Sequence, residues 1–334
     1  FGVAVSAPQI GRFHVLEKLG EGGMGEVYAA FDPELDRRVA IKVLHSDHGE
    51  SQERRERLIR EAQALARVSH PNVVQVFEVG LHREHVFVAM EYVRGESLAQ
   101  WLDHQPDPPD WRVVVDHFIA AGQGLTAVHA AGLVHRDFKP ANTIVGADGR
   151  TRILDFGLVR ATALDDSREL PQLHTPARLE HSLTAMGSVV GTPGYMAPEV
   201  FLGQRADARS DQYSFCVALY EGLYGERPHI GATLAALASA KILGELPRPP
   251  SGTKVPAWLH AAVVRGLAPT AAQRWPSMTE LIAELGRDRR SALRRWSVAL
   301  LALVLLGATG VAIQQVVAHQ RIAADERARA ETAE

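Results

Sequence analysis

The sequence is poor in cysteine: Cys216 is the only one among 334 residues. No intramolecular disulfide can form, and its place in an apolar run reads as a buried, inert thiol in a reducing compartment. A basic excess is also lacking. With 36 Lys and Arg against 39 Asp and Glu, the formal net charge is −3, whereas chains that bind polyanions through overall charge are clearly basic. No nucleic-acid partner is expected. Internal repeats are absent too, which sets aside stacked-repeat architectures. What is present is the ordinary material of a packed core, with 46% apolar and 22% charged residues. The chain starts at Phe1 and stops at Glu334 inside a charged helical pattern, so truncation at both ends is expected.

Two compositional halves follow one another. Residues 13–92 are strand-rich, with β-branched or alternating runs at 26–30, 39–44, 73–79 and 86–90 separated by turn formers. One helix interrupts them: over 51–68, Leu58, Ile59, Ala62, Leu65 and Ala66 recur at helical spacing, with charge on the remaining face. Beyond Gly95 helices are predicted at 111–130, 210–224, 232–243 and 256–267, with a loop-and-strand section over 133–154. Residues 161–182 are polar and aperiodic, too long for an ordinary connection, and read as a functional loop.

The segment LGEGGMGEV, 19–27, sets Gly20, Gly22 and Gly25 in a G-x-G-x-x-G pattern between two predicted strands. Glycine lets backbone N–H groups approach an anion closely. Dinucleotide-binding folds use the same pattern but need a helix directly after it. Here a strand follows, and VAIK, 39–42, lies in the next one. At this point the sequence resembles the protein kinase family. HRDFKPAN at 135–142, DFG thirteen residues after Asn142, and GTPGYMAPE at 191–199 complete the resemblance in the family's order.

The resemblance implies an α+β, bilobal fold, with a small β-rich lobe (13–92) and a larger α-helical lobe (93–287) after a short extension (1–12). It implies ATP as phosphate donor, with two Mg²⁺ ions held by Asn142 and Asp155, hard oxygen ligands suited to that metal. Asp137 would accept the proton of a Ser or Thr hydroxyl, and Lys139 would lie against the γ-phosphate. Lys42 would hold the α/β-phosphates and pair with Glu61. Leu19, Gly20, Gly22, Gly25, Val27, Ala40, Glu91, Val93 and Ile144 would surround the nucleotide, with Met90 behind the adenine. Glu199 is expected to pair with Arg274, and Asp211 to hold the backbone of the catalytic loop. Val76, Leu65, His135 and Phe156 correspond to the apolar spine that couples the lobes, for which a plain core role is equally true. Lysine at 139 and the form of 191–199 favour protein Ser/Thr acceptors over Tyr; Phe138 and Ala141 depart from the commonest family residues without touching the chemistry.

Regulation follows by the same resemblance, and location from the apolar and basic patterning near the C-terminus. Thr184, with Ser182 and Ser188 as lesser candidates, is the expected self-phosphorylation site, and Arg136, Arg160 and Arg57 are expected to converge on the phosphate. A basic juxtamembrane segment (288–296) precedes an apolar run (297–318) that reads as one transmembrane helix, since about 20 residues at 1.5 Å each cross a ~30 Å hydrocarbon core. Arginines crowd its N-terminal flank, which puts the kinase domain in the cytoplasm at the plasma membrane and residues 319–334 outside. Signalling by bringing two such domains together, as a homodimer, would suit that arrangement. A pseudokinase would have lost one of Lys42, Glu61, Asp137, Asn142 or Asp155, and a small-molecule phosphotransferase would lack the 191–199 loop with Arg274; all are present.

Overall fold

Period-two burial is what positions the nucleotide-side residues. The computed structural model describes residues 8–22, 25–45, 52–106, 108–154, 193–287 and Thr309. A six-stranded antiparallel sheet comprises β1 (Gln9–Ile10), β2 (Phe13–Gly22), β3 (Gly25–Asp32), β4 (Arg37–Leu44), β5 (Val76–His82) and β6 (His85–Glu91), in the order β1-β2-β3-β4-β6-β5. Along β4, Val39 and Ile41 point to one face, where they pack with Phe13, Ala30, Phe87 and Ala89. Ala40 and Lys42 therefore point to the other. Val27 stands directly opposite Lys42, and Met90 opposite Ala40, so these four share a face.

Helix α1 (Gln52–Ala66) covers the sheet through Leu58, Ala62 and Leu65, the apolar stripe read from its sequence. After it the chain leaves the sheet. A strand over 73–79 was predicted, but β5 starts only at Val76. Residues 72–74 are instead drawn to the other lobe: Val74 N–H donates to Ile153 O, Ile153 N–H to Asn72 O, and the Asn72 amide to Thr151 O.

The second lobe holds a three-stranded sheet of β7 (Gly95–Ser97), β8 (Thr143–Gly146) and β9 (Thr151–Ile153). Its helices are α2 (Leu98–Asp103), α3 (Trp111–Ala130), α4 (Pro198–Phe201), α5 (Ala208–Tyr224), α6 (Leu234–Leu243), α7 (Ala257–Gly266) and α8 (Met278–Leu285). The largest core runs through Val114, Phe118 and Leu125 of α3, Phe215 and Leu219 of α5, Leu259 of α7 and Leu281 of α8. Helix α5 is buried on nearly all sides and acts as the post on which the lobe is built. Cys216 lies within it, and burial pushes its thiol well above the ordinary range, as expected of an inert core group.

No helix among the described residues is long and apolar enough to cross a membrane. The span expected at 297–318 falls outside those residues apart from Thr309.

Candidate active site

The catalytic loop is held by a carboxylate that reaches it from α5. Asp211, 1% exposed, accepts from the backbone N–H of His135 at 2.7 Å and of Arg136 at 2.8 Å, and its Oδ2 is 2.8 Å from His129 Nε2. Two adjacent N–H groups can meet one carboxylate only if the chain turns sharply, and Arg136 adopts φ 66. A non-glycine residue there is strained, and surroundings that over-determine the conformation must hold it. Asp211 supplies that constraint, as the resemblance implied.

The turn gathers three polar side chains. Asp137 is 7% exposed, and its Oδ2 lies 3.1 Å from Lys139 Nζ. The Asn142 amide nitrogen donates to both Asp137 O and Asp137 Oδ2 at 2.9 Å, from a 3-10 turn at Pro140–Asn142. That contact turns the Asn142 carbonyl oxygen away from Asp137, so the oxygen left for a cation is of the hard type that Mg²⁺ prefers. His135 is wholly buried, and its Nε2 lies 3.1 Å from Leu154 O, tying the loop to the strand that leads to Asp155. Asp155 itself and Arg160 lie outside the described residues, as do Phe156, Thr184, Ser182 and Ser188.

The glycine-rich hairpin is β2 turning into β3. Among the described residues a Cβ built at Gly20 or Gly22 would meet nothing within 4 Å, which leaves open space beside the backbone where an anion such as phosphate could approach. Gly25 differs: its φ is 149, and a Cβ would fall 2.1 Å from Val43 O, so this glycine serves the hairpin itself. Lys42 is 7% exposed and Ala40 8%. Ile144 lies on β8, Leu19 on β2 is exposed, and Glu91 ends β6 with its carboxylate 3.5 Å from Arg152 Nε. Val93 packs beside Gly146, where an added Cβ would come within 3.3 Å of it. The residues present fit a nucleoside triphosphate between the two sheets, with Asn142 placed to hold Mg²⁺, which would neutralise phosphate charge there.

In the larger lobe, Glu199 and Arg274 form the expected pair, Arg274 Nη1 and Nη2 meeting the two carboxylate oxygens at 2.7 Å each. Burial pushes the Glu199 carboxyl up, but the Arg274 guanidinium and the Ser210 hydroxyl outweigh that and hold it below the ordinary range.

A family model described as the protein kinase domain matches residues 13–262. The chain belongs to the protein kinase family. It is 41% identical over 224 residues to the serine/threonine-protein kinase pkn2 of Myxococcus xanthus, covering 66% of this chain and 25% of that one. It is 36% identical over 282 residues to the serine/threonine-protein kinase PknB of Mycobacterium tuberculosis, covering 83% of this chain and 42% of that one. The chain therefore spans less than half the length of both relatives. The solved PknI kinase domain of Mycobacterium tuberculosis superposes with a TM-score of 0.64 at 26% identity, covering 85% of this chain and 99% of that one.

Within this kinase domain Glu61 Oε1 meets Arg136 Nη1 at 3.0 Å, a contact the sequence did not suggest. The strained turn at Arg136 brings a forked, permanently charged guanidinium to α1, and both partners are largely shielded from water, at 17% and 25% exposure. Arg57 stands one turn before Glu61 on the same helix, so α1 carries both a guanidinium and the carboxylate that holds Arg136.

Two features beside the catalytic loop and its following helices had not been singled out from the sequence. A cavity of about 630 Å³ opens beside the catalytic loop at Pro140 and is lined by Leu102, Tyr195, Glu221, Tyr224 and Ser251. In its wall the Tyr195 hydroxyl donates to the Glu221 carboxylate, which also pairs with Arg227 at 3.4 Å. The second is Lys241, fully buried on α6. The signal was available: it is the only charged residue in LAALASAKIL.

Proposed function

We propose that this chain is an active Ser/Thr protein kinase that transfers the γ-phosphate of Mg·ATP to protein hydroxyls. The observation that carries the reading is the Asp137, Lys139 and Asn142 cluster, fixed by Asp211 beneath the strained Arg136. Phosphoryl transfer has a loose, anionic transition state, so catalysis is mostly positioning and charge neutralisation. Asp137 orients the acceptor hydroxyl and takes its proton as that oxygen bonds to the γ-phosphorus and the bond to the bridging oxygen of ADP breaks. Lys139 then stands 3.1 Å from Asp137, placed to balance charge on the transferring group. The cavity reached from Pro140 and Tyr195 gives room for the acceptor segment.

Self-activation belongs to the same proposal. A phosphate on Thr184, or on Ser182 or Ser188, carries roughly −1.5 to −2 charges and would compete with Glu61 for Arg136. Glu61 would then be released toward Lys42, with Arg57 and Arg160 as further anchors. Incubation with Mg·ATP followed by mass-spectrometric mapping is expected to find phosphate within 161–190, and Thr184→Ala is expected to slow activation. An unphosphorylated loop in a fully active chain would refute this route.

Membrane anchoring rests on the apolar run at 297–318 and its arginine-rich N-terminal flank. With tags at both ends, protease treatment of sealed vesicles of either orientation is expected to cut one tag only. Both tags on one side would overturn the single-span topology and leave the kinase reading intact.

A further inference from the structure

Lys241 has no exposed surface, and its ammonium hydrogen bonds go to one loop. Its ammonium donates to Gly194 O at 2.6 Å, Met196 O at 2.7 Å and Pro193 O at 3.2 Å. These carbonyls belong to the GTPGYMAPE segment, between the catalytic loop and α4. The ammonium also lies 5.4 Å from the ring centres of Phe201 and Tyr213, so aromatic faces close the remaining sides. Three donors meet three acceptors, and the geometry leaves the side chain no other orientation.

A charge in this place does not serve stability. Burial, with Arg227 nearby, pushes the Lys241 ammonium down to about 7. Between that value and the ordinary one of about 10.4 the unfolded chain binds a proton that the folded chain gives up, so burying this lysine opposes folding there. His229, buried against the same Tyr213 ring, is pushed down to about 4 by burial and by Lys241, so it stays neutral beside the cation. The lysine grips the loop from behind through these three carbonyls. The front is gripped as well. A Cβ at Gly194 would fall on Arg227 Nη1, and the Arg227 guanidinium lies 5.8 Å from the Tyr195 ring centre while pairing with Glu221. Residues 193–196 are thus clamped between two basic side chains from different segments, next to the cavity lined by Pro140 and Tyr195.

We infer that Lys241 is a positioning residue for phosphoryl transfer: by holding the carbonyls of 193, 194 and 196 it fixes the loop against which the acceptor peptide lies, and so sets peptide affinity without touching ATP. This rests on the kinase reading above and names the part of the site that recognises the acceptor.

The test compares Lys241→Met and Lys241→Gln in the full chain with the parent. Methionine keeps the length and apolar bulk but no donor, whereas glutamine is shorter and keeps two. A carbonyl-holding role makes glutamine the milder change; a packing role makes methionine the milder one. For Lys241→Met the KM for a peptide acceptor is expected to rise about 10-fold, the scale of lost charge-assisted hydrogen bonds. The KM for ATP and kcat at saturating peptide should stay within about twofold, and glutamine should fall between methionine and parent. Amide hydrogen exchange at 194–197 should quicken in the same order while α5 stays protected. Unchanged peptide KM and exchange in Lys241→Met, or a glutamine variant worse than methionine, overturns the inference. Absence of transfer in the parent overturns the kinase reading and the peptide role with it, while unchanged exchange overturns the role of Lys241 alone. Should Lys241→Met not fold, Lys241→Gln decides: parental peptide KM in that variant counts against the inference, and a raised one supports it.

Discussion

Asp137→Asn is expected to lower phosphoryl transfer by about 100-fold or more while leaving the folded state and its melting temperature close to the parent's. The substitution keeps the shape of the side chain and an acceptor oxygen for the Asn142 amide, which donates at 2.9 Å to both the backbone and side-chain oxygens of Asp137. It opens no cavity. What it removes is the negative charge 3.1 Å from Lys139 and, in the mechanism proposed above, the group that takes the acceptor's proton. Lys42→Met is expected to have an effect of the same order for a different reason, since it strips a cation from the face of β4 that looks toward the glycine-rich hairpin. Transfer of labelled phosphate to a protein acceptor, measured beside circular dichroism of each variant, checks both. Near-parental transfer by a folded Asp137→Asn chain would remove Asp137 from the reaction.

Much of this site could be read before any coordinates because kinase chemistry is written in short, rigid motifs. Asp137, Lys139 and Asn142 lie within six residues, and the backbone between them has little freedom to separate them. The long helices were legible for the same local reason: 111–130 was predicted and α3 spans Trp111–Ala130. The errors fall where tertiary pairing decides. Gly95–Ser97 has no strand-like composition and becomes β7 only because β8 lies beside it. Val73 looks like a strand residue but bridges to Ile153, since the chain must cross between lobes at that point. Helix α2 was missed although its start is marked by a Ser97-to-Gln100 capping box, a signal too short to weigh against the surrounding turn formers. The contact of Glu61 with Arg136 was not foreseen, because it depends on how close α1 stands to the catalytic loop, and no local pattern encodes that distance.

Arg274→Ala is expected to be the most destabilising single change in the larger lobe. Arg274 is wholly buried and satisfies an unusual number of acceptors: both oxygens of Glu199 at 2.7 Å, and the carbonyls of Ala268, Arg209 and Pro269 at 2.9, 2.9 and 3.2 Å. Its guanidinium also lies 4.9 Å from the Tyr213 ring centre. Truncation would leave a shielded carboxylate with only the Ser210 hydroxyl at 2.7 Å, and removing one partner of a buried pair costs about 3–5 kcal/mol. In a domain of this size that is a fall in Tm of roughly 10 °C. Glu199→Gln should be milder, because a neutral amide can still accept from Arg274 and strands a charge that the three carbonyls already share. The pair also sets an acid limit. Glu199 is held below the unfolded carboxyl value, so its contribution is complete above about pH 4.5 and is lost as pH falls through the folded-state value. Calorimetry of parent, Arg274→Ala, Glu199→Ala and the double variant tests the account. The double variant should be less destabilised than the sum of the singles, because the second truncation removes the very group that the first left stranded. Strict additivity would mean that the two side chains, though 2.7 Å apart, stabilise the lobe independently.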